Sequence, residues 1–317
     1  MNRIPQSIGI ACLFALCLAS ACRKTTGSKT TCTSTLYGYT VPVTSMYDTI
    51  STCSFGPINP STGLLSAIGS FATSVYTNQG AFNIADNCYY VFKTYRGSSD
   101  SPAPLYKISA SGSVTALSTS GTSTFSAPVY NNVTNKLYCF SGGNLMQINI
   151  SGSTFTTTVI ATLVHPFMGS LTVDNNTGNM YLSTGDTATY YIEKYTSGSS
   201  ATSVVATGSG AWDILGLRFN KNDNMLYAIR ENYPGVGQDF IKIDPSAGSI
   251  TTLSSISLPS AVDREFYSTC IDPCSNHFYI STIVNSGYRG ILQQFTMTGS
   301  IVATDTTSTF LQSLDVN

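Results

Sequence analysis

One kind of turn recurs six times along this chain of 317 residues, and no other feature limits its fold as strongly. Small-residue turns end at Gly63, Gly112, Gly152, Gly198, Gly248 and Gly299, spaced 49, 40, 46, 50 and 51 residues apart. Each follows a short apolar run of strand character, at 55–58, 105–108, 145–148, 190–195, 240–243 and 292–295. Another β-rich run comes after each, as at 113–117, 249–253 and 300–303. A second marker keeps step with the glycines. Leu36-Tyr37, Tyr89-Tyr90, Leu137-Tyr138, Met180-Tyr181, Leu226-Tyr227 and Phe278-Tyr279 each pair an apolar or aromatic residue with Tyr. Five of these follow an Asn/Asp-rich turn: Asp86-Asn87, Asn131-Asn132, the turn at 174–178, Asn222-Asp223-Asn224 and Asp272-Pro273.

One repeat therefore runs strand, Asn/Asp turn, Tyr strand, variable loop, strand, Gly turn, strand, which is four antiparallel strands joined by hairpins. A period in the forties is that of a four-stranded propeller blade. The expectation is an all-β fold, a six-bladed β-propeller over residues 35–317. Residues 311–317 read like the first strand of a blade, whereas residue 36 opens on a second strand. The C-terminal strand should thus join three strands from 35–70 in one sheet, closing the ring without an open edge.

The start of the chain reads as an address. Arg3 precedes an apolar run of 11 residues at 8–18, too short for a permanent membrane span. Leu18-Ala19-Ser20-Ala21-Cys22 resembles the bacterial lipoprotein signal, in which the cysteine is lipidated and becomes the new N-terminus. That resemblance implies a signal peptide at 1–21, a lipid on Cys22 and a polar tether over 22–34, leaving an exported lipoprotein at the outer membrane, facing the periplasm or the cell surface. An ordinary secretory signal cleaved after Ala21 would export the chain equally well.

Only 10% of the residues are charged, against about 25% in typical soluble proteins, and the net charge is −1. Such a surface suits an exported β protein and offers no electrostatic footprint for nucleic acid. Six cysteines follow Cys22, and an even count in an exported protein permits three disulfides. Cys270 and Cys274 flank an Ile-Asp-Pro turn and are candidates for a bridge across it. A zinc site there would need further Cys or His at ligand spacing, and the only histidines are His165 and His277.

The stretch from Leu171 to Tyr181, built around Asp174-Asn175-Asn176-Thr177-Gly178, and Ile243-Asp244-Pro245-Ser246-Ala247-Gly248 resemble the YVTN- and NHL-type propeller repeats of bacterial exported proteins. Where a YVTN repeat has Tyr-Val-Thr-Asn, this chain has Tyr181-Leu182-Ser183-Thr184 and Tyr138-Cys139-Phe140-Ser141. More loosely, it is similar to the six-bladed gluconolactonase-like propellers, a resemblance that would imply a divalent metal in the central channel.

Functional side chains are expected on the long connections, which leave the ring at the end opposite the Asn/Asp and Gly turns. Loops held on a rigid scaffold are where binding residues collect. The only Trp, Trp212, lies there beside Asp213, with Arg230, Glu231, Tyr233, Arg264, Glu265, Tyr288 and Arg289; Arg96, Asp100, Asp239, Asp263 and His165 are expected on the same face. Trp, Tyr and Arg dominate binding hot spots. Mutual salt bridging that merely caps the channel is the plainer role for the same charges. A recognition scaffold for a protein partner or a glycan is the expected function, with the membrane met only through the lipid anchor and no cofactor or catalytic residue assigned. The alternative is a metal-dependent lactonase-like hydrolase drawing on Asp213, Glu231, Asp263 and Glu265, which would need oxygen ligands converging from several loops. No Gly-x-Ser-x-Gly, phosphate-binding or dinucleotide motif occurs.

Overall fold

The computed structural model describes residues 32–41, 51–73, 80–92, 104–120, 125–165, 167–185, 189–209, 212–232, 237–256, 262–284, 289–307 and 309–316. Of the segment up to Thr33 only Cys32 and Thr33 are described, so the signal and lipidation assignments, Cys22 included, lie outside the described residues. No helix among the described residues is long and apolar enough to cross a membrane.

The compact unit beginning at Ser34 is a six-bladed β-propeller of 24 strands in six antiparallel sheets of four. Blade 1 has β24 (Phe310–Val316) innermost, followed by β1 (Leu36–Val41), β2 (Ser51–Ile58) and β3 (Gly69–Thr73). Blades 2 to 6 each take four consecutive strands: β4–β7 within 81–117, β8–β11 within 126–162, β12–β15 within 167–209, β16–β19 within 212–256 and β20–β23 within 262–307. Their innermost strands are β4 (Ala81–Asn83), β8 (Ser126–Asn131), β12 (Phe167–Val173), β16 (Trp212–Asn220) and β20 (Val262–Asp272). The expected closure is present: Leu36 pairs with Val316 and Tyr37 with Asp315.

The punctuation of the sequence has a backbone cause. All six turn glycines have positive φ, from 59° at Gly152 to 92° at Gly299, a conformation that an L side chain resists. The inner hairpins use the same device, with Asn87, Asn135, Asn224 and Asn276 at positive φ in four of them and Gly178 in a fifth. These hairpins open on an Asn or Asp whose side chain accepts the amide two residues on, as Asn131 does from Val133 at 3.0 Å and Asp272 from Cys274 at 2.8 Å. That is the bond by which Asn and Asp favour turns, rather than metal ligation.

The apolar core is divided into six clusters, one at each interface between neighbouring blades. A strand in the middle of a blade is covered on both faces, so β5 (Cys88–Phe92) is buried at every position and shows no alternation. The recurrent Tyr packs there and is also clamped from the turn four residues earlier. Tyr90 donates to Asp86 at 2.5 Å and Tyr227 to Asp223 at 2.6 Å, while Tyr138 and Thr134 lie 3.0 Å apart. Lys107 and Lys242 complete the two carboxylate clamps at 2.9 and 3.3 Å. Burial and the adjacent carboxylates push the Tyr90 and Tyr227 phenols well above their ordinary range, and burial takes Tyr279 up to about 12, so these hydroxyls remain donors.

The cysteines correct two expectations. Cys53, Cys88, Cys139 and Cys270 are buried thiols outside any disulfide, so three bridges are not formed. Cys270 and Cys274 do not pair with each other: Cys274 is disulfide-bonded, as is Cys32, whereas the Cys270 thiol is packed with Leu36, Leu311 and Leu314 in the blade 6–blade 1 core. Burial raises both the Cys139 and Cys270 thiols far above a reactive range.

Candidate functional site

Two ends of the ring offer candidate sites, and the inner strands define both. At the end where inner strands begin, Trp212 pairs with Asn232, Asp213 with Glu231 and Ile214 with Arg230. In the next blade Asp263 pairs with Ile283, but the following pair is Tyr267 with Thr282, so Arg264 and Glu265 fall within a bulge of β20. Arg289 opens β22 (Arg289–Thr296) opposite Val284. Seven of the nine expected ligand residues thus lie on strand ends of two adjacent blades rather than on free loops, because the hairpins extend further than the turn residues suggest. Tyr233 and Tyr288 lie outside the described residues.

Arg230 and Glu231 are the members of this group whose side chains are described, and the protein itself engages both. The Arg230 Nη2 donates to Asp239 Oδ2 at 2.6 Å and to Thr252 Oγ1 at 2.9 Å. Asp239 in turn accepts from Ser255 at 3.0 Å. Burial opposes the Arg230 charge, but bonds to Asp239 and Tyr190 outweigh it and raise its basicity. Glu231 is buried and accepts from Gln238 Nε2 at 3.4 Å. These two act as cross-strand struts at the base of the face.

Glu193, on β14 (Thr189–Tyr195), carries a polar network that the sequence analysis missed. It is fully buried, yet its carboxylate accepts the Val164 amide at 3.0 Å and the His165 amide at 2.9 Å. His165 Nδ1 and Thr184 Oγ1 lie at 2.9 Å, and Thr202 Oγ1 also donates. The His165 ring stacks on Tyr191 at 3.6 Å. Burial alone would raise the Glu193 carboxyl; the bonds from Thr202, His165, Val164 and Thr184 overcome it and hold it below the usual range. The signal available was a carboxylate directly after the apolar run Tyr190-Tyr191-Ile192, at a position that alternates with Lys194 on the other face of the strand.

At the opposite end, under the Asn/Asp turns, all six inner strands line a cavity of about 310 Å³. Here blade joins blade through side chains that cap inner-strand amides. Phe82 donates to Asp315 Oδ2 at 2.6 Å, Leu314 to Ser268 Oγ at 2.6 Å and Phe219 to Thr172 Oγ1 at 3.1 Å. Arg218 Nε donates to the Thr269 carbonyl at 2.9 Å, and Nη1 to the Leu217 carbonyl at 3.3 Å. The inner strand reaches Thr269 because Gly216 has φ 62° within a bulge, and a Cβ there would collide with the Thr269 side chain. Neither Arg218 nor Asp315 was singled out from sequence, since each sits in a short apolar run. Among the described residues no group of three or more His, Cys, Asp or Glu is placed to hold a metal ion.

No protein-family model matches the sequence, and no curated protein matches it. Its likeness is to solved structures. The chain superposes on a chain of the nidogen/laminin complex with a TM-score of 0.61 at 11% identity, covering 90% of this chain and 98% of that one. TolB from Acinetobacter baumannii gives 0.62 at 10% identity over 89% of this chain and 66% of that one. A Bacteroides uniformis protein assigned as a 6-phosphogluconolactonase gives 0.54 at 12%, covering 90% and 98%. At such identities these likenesses establish the propeller fold and nothing finer.

Proposed function

We propose that this chain is an exported, lipid-anchored propeller that acts as a non-catalytic recognition scaffold for a protein partner or a glycan. The binding face is the end of the ring where blades 5 and 6 begin their inner strands. One observation carries this reading: the backbone brings Trp212, Asp213, Arg264, Glu265 and Arg289, drawn from 78 residues of sequence, to the same end of two adjacent blades. In a chain with 10% charged residues and one Trp, that concentration matches the composition of binding hot spots. Bulges also re-aim side chains beside functional sites, and Arg264 and Glu265 occupy one. The nidogen/laminin complex contains a chain of the same fold, and that likeness supports a protein partner.

The test places a photo-crosslinking residue at Trp212, Arg264 or Arg289, and at Asn175 on the turn end as control, in the full chain in its native membrane. The proposal expects one adduct common to the first three positions and absent from the control. Adducts equal at both ends, or none at any, would overturn it, as would chelator-sensitive lactone hydrolysis by the purified chain. Anchoring is tested separately by fatty-acid labelling, which Cys22→Ser should abolish.

A further inference from the structure

The cavity at the turn end holds two opposite charges that the fold keeps apart. Arg218 of blade 5 and Asp315 of blade 1 both line it, yet they make no direct ion pair, unlike Lys107–Asp86, Arg230–Asp239 and Lys242–Asp223 elsewhere in the ring. Arg218 is fixed through Nε and Nη1 to backbone carbonyls, and its Nη2 donates to no described residue. Asp315 is fixed by the Phe82 amide on Oδ2 and the Val316 amide on Oδ1, each oxygen keeping a second lone pair. Both groups are therefore held by backbone partners while each keeps free hydrogen-bonding positions. Both are half-buried: desolvation lowers the basicity of Arg218 and raises the Asp315 carboxyl, and each charge partly offsets that effect on the other. Two fixed, opposite charges with free positions facing one cavity suit a ligand that carries the complementary pair.

The surroundings narrow the ligand. About 310 Å³ lies at the small end of the range for small-molecule sites. Phe82, Val129 and Val173 supply apolar wall, while Asn132, Asn175 and Lys221 stand around the mouth. Lys221 adds a second positive charge on the chain segment that carries Arg218. We propose that this cavity binds a free α-amino acid or a short peptide as the zwitterion, its carboxylate taken by Arg218 and its ammonium by Asp315. Guanidinium is suited to a planar carboxylate, and the separation of the two groups sets which zwitterions bridge them. The site lies at the other end of the ring from the proposed recognition face and stands or falls independently of it.

The experiment is calorimetric titration of the full-length chain in detergent with free amino acids and dipeptides, each compared with its N-acetylated and its C-amidated form. At least one free zwitterion should bind, and blocking either terminus should weaken it about tenfold or more, the loss expected for one charge-assisted bond. Asp315→Asn should reduce the preference for a free ammonium, and Arg218→Lys should reduce affinity while retaining the preference for a free carboxylate. Because Arg218 also ties two strands, the blocked-ligand series on the unaltered chain decides the matter if a variant fails to fold. Absence of binding throughout the panel at millimolar concentration, binding indifferent to blocking, or preferential binding of a neutral sugar would each overturn the assignment.

Discussion

Glu193→Gln offers the sharpest energetic test of the ring. The native carboxylate has no accessible surface and receives donors from Val164, His165, Thr184 and Thr202. Glutamine keeps the shape but turns one acceptor oxygen into a donor. Placed at Oε2, that donor opposes the Val164 amide, whose bond is lost, while the Thr202 hydroxyl must turn to accept instead of donating. Losing a bond to a charged group costs about 1.5–3 kcal/mol, and neutralising the acceptor weakens the remaining bonds as well, so the expected destabilisation is roughly 3–5 kcal/mol. That is a large part of a typical total of about 5–15 kcal/mol. At roughly 2–4 °C per kcal/mol, the melting temperature should fall by on the order of 10 °C, measured by circular dichroism of full-length protein in detergent. The pH dependence has a fixed sign. Since folding depresses the Glu193 carboxyl below its ordinary value of 4.5, its contribution is complete above that pH and is lost as pH falls through the lower, folded value. The gap between native and Gln chains should therefore be widest near neutrality and shrink in acid. A variant melting within about 2 °C of the native chain at neutral pH, or a gap that widens in acid, would refute the reasoning.

Two further outcomes follow from close packing. Gly112 has φ 82°, and a Cβ there would fall inside the Ile68 carbonyl of blade 1, so Gly112→Ala should destabilise the chain by about 1–3 kcal/mol or more, measured by denaturant titration. Cys53, Cys88, Cys139 and Cys270 should resist a thiol reagent at neutral pH until the fold is melted; rapid labelling of Cys139 or Cys270 in the native protein would contradict their burial.

The architecture was readable because its punctuation is local. A glycine at positive φ, an Asn or Asp that bonds the amide two residues on, and a Tyr clamped by the side chain four residues earlier are all properties of short stretches. Counting them yielded six blades and the shared sheet of the two ends. The candidate sites were less legible because their partners are distant in sequence. Asp315 meets the Phe82 amide across 233 residues, and Glu193 meets Val164 across 29. In the sequence Asp315 is an isolated charge between Leu314 and Val316, and Glu193 is one member of an ordinary Glu-Lys pair, so neither marks a buried network. Trp212, Asp213, Arg264 and Glu265 were placed on loops because no turn residue separates them from the strands that contain them; pairing with the neighbouring strand, or bulging within it, settles their place. Cys270 invited a bridge by its spacing from Cys274, and strand pairing with Tyr279 instead carries it into the core.

Hydrogen–deuterium exchange on β24 examines the closure of the ring most directly. If Phe310–Val316 is the innermost strand of blade 1, its amides should exchange as slowly as those of β12 and β16, the inner strands of blades 4 and 5. Exchange of that strand at the rate of an unstructured C-terminus, with the other inner strands protected, would contradict a closed six-bladed ring.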